Sequence, residues 1–173
     1  MTGRLSSGVP DDLPQQISGK PFFHRVCQWA RDLWTRRRPF EPTPGGAMRA
    51  VDTNLLVRLI TNDDEAQARV AEEFIAAGAW IPHIVLAETV WVLASAFDLS
   101  RGKIAEAVAM LLNHTSLAIQ DSEVVSAALE NFRQYAGVEF SDCLALESAR
   151  RAGHLPFGTF DRRFSQLPGV QRL

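Results

Sequence analysis

From Met48 onward, short apolar runs of strand character alternate with longer stretches whose apolar residues recur every three or four positions. Arg49 to Val51 reads as a short strand, and Thr53 to Ile60 continues as helix. Glu65 to Ala77 carries Ala68, Val70, Ala71, Phe74 and Ile75 at helical spacing and stops at Gly78, which suits a C-terminal cap. Ala79 to Ile81 reads as a second strand, and Pro82 fits the first turn of a helix reaching Phe97. Arg101 to Leu112 predicts another helix and Ser116 to Ile119 a third strand. A helix from Ser122 to about Tyr135 follows, capped by Asp121 or Ser122. Ser141 is the expected N-cap of a helix over Asp142 to Ala152, ended by Gly153. Leu155 to Phe160 predicts a strand, Arg162 to Leu167 a helical turn, and Val170 to Leu173 a last edge strand. No internal repeat appears. The alternation predicts a three-layer α/β/α domain whose short, mostly parallel sheet is flanked by helices.

Residues 1–47 have another character and form an N-terminal extension to the domain at 48–173. Met1 to Gln16 is rich in Ser, Gly, Pro and Asp and reads as disordered. Phe22, Phe23, Val26, Trp29, Leu33 and Trp34 then recur at helical spacing among several arginines, as in a basic amphipathic helix that docks on a partner or membrane surface. Pro39 to Ala47 has the composition of a linker. A plainer alternative stands beside this. Met48 directly precedes the first strand, so the native protein would start there and residues 1–47 would not belong to it. No chemistry is assigned to them.

Within the domain, four carboxylates interrupt stretches that otherwise read as buried, where unpaired acids are rare. Asp52 ends the first strand. Glu88 lies in Ile84-Val85-Leu86-Ala87-Glu88-Thr89-Val90-Trp91, Asp142 opens Asp142-Cys143-Leu144-Ala145-Leu146, and Asp161 closes the strand at Phe160. Sites in open parallel sheets form beyond the carboxyl ends of strands, which is where Asp52 and Asp161 fall and where the helix carrying Asp142 would start. Glu88, four residues after Ile84 and three before Trp91, is expected on the packed side of its helix. Local roles compete for each. Asp142 would meet a helix dipole, Asp161 would cap the following turn, Asp52 would make an Asx-turn, and Glu88 would pair with a core arginine. Together they favour a shared site, since two carboxylates about 4 Å apart repel by roughly 4 kcal/mol at an effective dielectric of 20. Only Lys103 follows Lys20 among the lysines. Mg²⁺, or Mn²⁺ in its place, is then the simplest neutraliser.

Charge and cysteine usage narrow the picture. Apolar residues make up 46% and charged residues 22% of the chain, ordinary for a globular protein. Residues 1–47 hold seven Lys/Arg against four Asp/Glu, whereas 48–173 hold eleven against sixteen. So acidic a domain does not grip nucleic acid by broad counterion release; a bound cation would have to attract phosphate. Cys27 and Cys143 have no metal-ligand spacing, and the lack of His or Cys around the acids argues against zinc. His83, His114 and His154 read as ordinary surface residues. No apolar run approaches the roughly 18 residues of a membrane span, and no secretory signal is evident, so a cytoplasmic location is expected.

The segments Val51-Asp52-Thr53-Asn54-Leu55-Leu56-Val57-Arg58, Leu86-Ala87-Glu88, Glu139-Phe140-Ser141-Asp142-Cys143-Leu144-Ala145 and Gly158-Thr159-Phe160-Asp161-Arg162-Arg163-Phe164 resemble, in order and spacing, the four motifs of PIN-domain ribonucleases, in particular VapC-type toxins of toxin–antitoxin pairs. The resemblance covers essentially all of residues 48–173; Cys143 stands where Ala is commoner. It implies hydrolysis of RNA phosphodiester bonds by metal-activated water, leaving a 5′-phosphate and a 3′-hydroxyl. Asp52 and Asp142 would be the direct ligands, with Glu88 and Asp161 binding a second ion or metal waters. Asn54 and Thr159 would hydrogen-bond these carboxylates or contact substrate, with turn chemistry the competing role for Asn54; Arg162 would touch substrate phosphate or, as the favoured alternative, stand solvated. An antitoxin and a homodimeric state are the partners implied. The faces of the Glu65–Ala77 and Ile84–Phe97 helices near Phe74, Trp80, Trp91 and Phe97 are candidate docking surfaces for an antitoxin, with a plain core role the favoured alternative for these residues. The chain departs from haloacid-dehalogenase-type phosphatases, having Asn54 where their second Asp would stand, and no Gly-rich phosphate loop follows the first strand. A non-catalytic PIN-like module that binds RNA or protein is the alternative.

Overall fold

The computed structural model describes residues 48–173; the expectations for residues 1–47, including the amphipathic segment from Phe22 to Trp34, lie outside the described residues. β1 (Arg49–Ala50) leads through α1 (Thr53–Thr61) and α2 (Glu65–Ile75) to β2 (Ala79–Ile81). From there α3 (His83–Ser95) and α4 (Arg101–Asn113) lead to β3 (Leu117–Ile119), and α5 (Ser122–Gln134) and α6 (Phe140–Arg151) follow. β4 (Phe157–Thr159), a 3₁₀ turn (Phe164–Gln166) and β5 (Val170–Arg172) end the chain. The elements agree with the hydrophobic pattern to within a few residues at each end.

Helical crossovers make every ladder parallel. β2 is central, pairing Arg49 with Ala79 on one side and Ile81 with Ile119 on the other. β4 pairs with β5, Phe157 opposite Val170, in a second sheet of two strands. The expected single sheet is thus divided: parallel throughout, but with β4 and β5 in a ladder of their own. This unit joins the rest by packing, for Phe164 and Leu167 are buried in the common core and Phe157 packs against it; within the unit the Phe157 and Phe164 rings meet edge to face at 5.2 Å.

Local signals explain the helix ends. Asp52 and Asp64 cap α1 and α2, accepting the N–H groups of Leu55 and Gln67 at 2.9 Å. Asn62 takes the left-handed conformation after α1, and Gly78, at φ +90°, turns the chain from α2 into β2. The apolar stripes of α1 and α5 face the core, where Leu56, Leu59, Ile60, Val125, Ala128 and Leu129 are buried. Ser141 is not the cap of α6: the helix starts a residue earlier than it, at Phe140, with Glu139 as N-cap. Phe140 is drawn inward as a core residue, against the edge of Phe132 at 5.8 Å, and this sets the start. His83, expected at the surface, is half-buried and tied to Gln120. Its backbone N–H donates to Oε1 at 3.0 Å, and its Nε2 lies 2.7 Å from the Gln120 carbonyl. Among the described residues no helix is long and apolar enough to cross a membrane.

Candidate active site

Asp52 follows β1 at its carboxyl end and is exposed, its Oδ1 accepting the Leu55 N–H. The next residue, Thr53, turns inward and is buried. Its hydroxyl donates to Oε2 of Glu88 at 2.6 Å, the length of a hydrogen bond to a charged acceptor. One hydroxyl thereby joins the first turn of α1 to the middle of α3, two helices that pack together. Thr53 was not among the residues singled out from sequence; the neighbouring Asn54 is exposed and makes no side-chain hydrogen bond among the described residues. The available signal was a hydroxyl at the first position of the helix beside a strand-ending acid.

Glu88 corrects an expectation. It does not project from the packed side of α3: Ile84 is 74% and Trp91 67% exposed, and Glu88 lies between them on the solvent face. The helix buries Leu86, Thr89, Val90 and Leu93 instead. Because α3 is apolar on nearly all sides, sequence spacing gave no phase for it.

Asp142 lies in the first turn of α6, half-buried, with Leu146 one turn on in the core. Burial raises its pKa above the ordinary 3.8, and the charges of Asp161 and then Glu139 raise it further. Asp161 shifts the other way. Its Oδ1 accepts the N–H groups of Arg163 at 2.6 Å and Phe164 at 3.1 Å, and these bonds hold it below 3.8 although it is exposed. Of the two neighbouring acids, Asp161 is the one kept ionised and Asp142 the one whose charge is disfavoured. The Thr159 hydroxyl accepts the Asp161 backbone N–H at 3.0 Å, so it shapes this turn and does not bond the carboxylate. Arg162 is exposed.

The acids are therefore linked as Asp52–Thr53–Glu88 on one side and Glu139–Asp142–Asp161 on the other, with α3 packed against both α1 and α6. None of Asp52, Glu88, Asp142 or Asp161 takes part in the ion pairs of the described residues. No three Asp, Glu, His or Cys side chains among the described residues converge tightly enough to hold one ion. The all-oxygen donor set and the like charges crowding Asp142 fit Mg²⁺ or Mn²⁺, which bind through one or two carboxylates with water and phosphate oxygens completing the shell.

The aromatic residues near these helices differ in exposure. Phe74 packs on the core beneath the Arg49 guanidinium, 4.0 Å from the ring centroid, Phe97 packs on the core, and Trp80 is half-buried in β2. Trp91 stands out with Ile84.

A search of curated proteins gives no match, and a search of solved structures gives none. The PIN domain family matches residues 49–170, which takes in every described element up to the start of β5 and all four acids. The chain belongs to the PIN domain family.

Proposed function

We propose that this chain is a Mg²⁺-dependent endoribonuclease that hydrolyses RNA phosphodiester bonds, the toxin of a type II toxin–antitoxin pair acting in the cytoplasm. PIN domains are generally nucleases, and such nucleases typically use divalent metals. The observation that carries the reading to this chain is the crowding of Asp142 by the charge of Asp161, with neither acid held in an ion pair and Arg163 acting on Asp161 only from beyond ion-pair distance. The order and spacing of the four acid-bearing segments support the toxin assignment. The exposed Ile84 and Trp91 beside Glu88 support a protein partner there, an antitoxin or the second copy of a homodimer.

Asp52 and Asp142 would hold a divalent cation, with Glu88 and Asp161 holding a second ion or its waters. Bound there, the cation supplies a water of lowered pKa and neutralises charge growing on the scissile phosphate. The protein's own contribution is orientation and charge. Thr53 fixes one oxygen of Glu88, and two backbone N–H groups keep Asp161 ionised. Burial leaves Asp142 with a carboxylate that gains from any positive charge placed beside it.

The capping bonds made by Asp52 and Asp161 favour one other reading, a non-catalytic module in which the acids serve local structure. RNA cleavage before and after EDTA treatment separates the two. Loss of cleavage in EDTA, its return with Mn²⁺ or Mg²⁺, and its abolition in a folded Asp52→Ala chain are expected. Cleavage that persists in EDTA excludes the metal-dependent mechanism, and RNA binding without cleavage under all conditions favours the module. Sequencing of RNA 5′ ends after a pulse of expression identifies the substrate.

A further inference from the structure

Arg101 opens α4, yet its side chain serves the junction between two other helices. Nε donates to the Phe132 carbonyl at 2.9 Å, Nη1 to Val138 at 2.8 Å and Nη2 to Tyr135 at 2.8 Å, with a further bond from Nη2 to Phe132. Its guanidinium carbon stacks 3.7 Å from the Phe132 ring centroid. Phe132 and Tyr135 end α5, and Val138 stands two residues before α6, so a single planar fork closes the connection that launches α6. Lysine has no equivalent, being a point charge with three rotatable donors.

The same connection has a second neighbour in Arg163. Gly137 has φ +82°, and a Cβ added there would lie 3.0 Å from Cδ and 3.2 Å from Nη1 of Arg163. Arg163 is also the residue whose backbone N–H caps Asp161. Contacts therefore run without a break from Arg101, through the 135–138 connection and the Arg163 side chain, to the Asp161 turn, with Asp142 four residues beyond Val138.

We propose that Arg101 is a positioning residue: with Arg163 lying against Gly137 in the same connection, it fixes the start of α6 against the Asp161 turn and so sets the spacing of Asp142 and Asp161 for a cation. The inference rests on the metal-dependent reading above and adds residues that touch neither cation nor substrate. The competing role is that Arg101 only caps the carbonyls at the end of α5, which would move stability and nothing else.

Mn²⁺ titration calorimetry on the full chain, with thermal unfolding alongside, tests this in Arg101→Lys and Arg163→Ala. Arg101→Lys is expected to weaken Mn²⁺ binding about 10-fold, as loss of a supporting contact does at metal sites. Arg163→Ala spares the backbone N–H that caps Asp161 and alters an exposed side chain, so it is expected to fold. Loss of a positive charge that acts on Asp161 would by itself tighten Mn²⁺ binding, so a net weakening of roughly threefold, against the about 10-fold of a lost supporting contact, reports the contact with the 135–138 connection. Mn²⁺ affinity within about twofold of wild type in the folded variants overturns the proposal, whatever the melting temperatures; should Arg101→Lys not fold, Arg163→Ala decides alone. Failure of the wild-type chain itself to bind Mn²⁺ would overturn the metal-dependent reading, and this inference with it.

Discussion

Replacing Thr53 with valine removes one oxygen from the contact between α1 and α3 and leaves the volume nearly unchanged. No cavity forms, so the change isolates the hydroxyl. A hydrogen bond to a charged group contributes about 1.5–3 kcal/mol. Here the acceptor is on the exposed Glu88, which regains water when the bond is lost, while the buried Thr53 becomes an apolar residue in an apolar place. Stability should therefore fall by only about 1 kcal/mol, below that range and closer to what a neutral hydrogen bond contributes. The effect on Glu88 should be larger in proportion, since its carboxylate loses the one contact that fixes Oε2. A supporting hydrogen bond of this kind is worth about 10-fold or more in metal affinity. Thr53→Ser keeps the hydroxyl and should restore most of the loss. Urea unfolding, Mn²⁺ titration and RNA cleavage, each measured on Thr53→Val and Thr53→Ser, separate these effects. Wild-type Mn²⁺ affinity and cleavage in Thr53→Val would refute the argument, as would a Thr53→Ser chain as impaired as the valine variant.

Three other outcomes follow from the charges and burial already described. A carboxylate whose folded pKa is raised loses stability as pH climbs from its ordinary 3.8 through the folded value; Asp142→Asn should therefore raise the melting temperature in EDTA at neutral pH while abolishing cleavage, and a lower melting temperature would contradict the electrostatic picture. At Asp63 burial alone would raise the pKa, but the Arg58 pair and the Thr61 hydroxyl outweigh it and the net shift is downward; its contribution to stability is present above 3.8 and lost as pH falls through the lowered folded value, so urea midpoints measured across that acid range should decline less in Arg58→Met than in wild type. Burial pushes the Cys143 thiol up to about 11, so in a Cys27→Ser chain it should resist Ellman's reagent at about pH 8 until the protein unfolds, and prompt labelling of the native chain would place it at the surface instead.

The elements of the domain were legible because strong local signals agree with the tertiary structure. Gly78, Pro82 and Asp121 each stand at the element end they announce, and the apolar spacing in α2 matches the face it buries at Ala68, Ala71 and Ile75, though Val70, on the expected stripe, is 63% exposed. Phase was illegible where a helix is apolar all round: Glu88 was assigned to the wrong side of α3 because Ile84 and Trp91 look like core residues and are not. Thr53 and Asn54 are adjacent polar residues, and only the approach of α3 decides which of them meets a carboxylate. Arg101 left no trace in the motifs, since its partners are backbone carbonyls more than thirty residues away. Local chemistry is written in the sequence, and contacts between distant elements are not.

The division of the strands into two ladders has a mechanical consequence. Asp52 and Asp161 sit at the ends of strands that do not share one hydrogen-bonded plate, so no backbone lattice fixes their distance. The separation of these two ends of the rim is left to the side-chain packing that seats the β4–β5 unit, with Phe164 and Leu167 in the common core and Arg163 against Gly137. A rim assembled this way is tunable. One substitution in the joint, at a residue that is not itself one of the four acids, can shift that separation without disturbing either sheet.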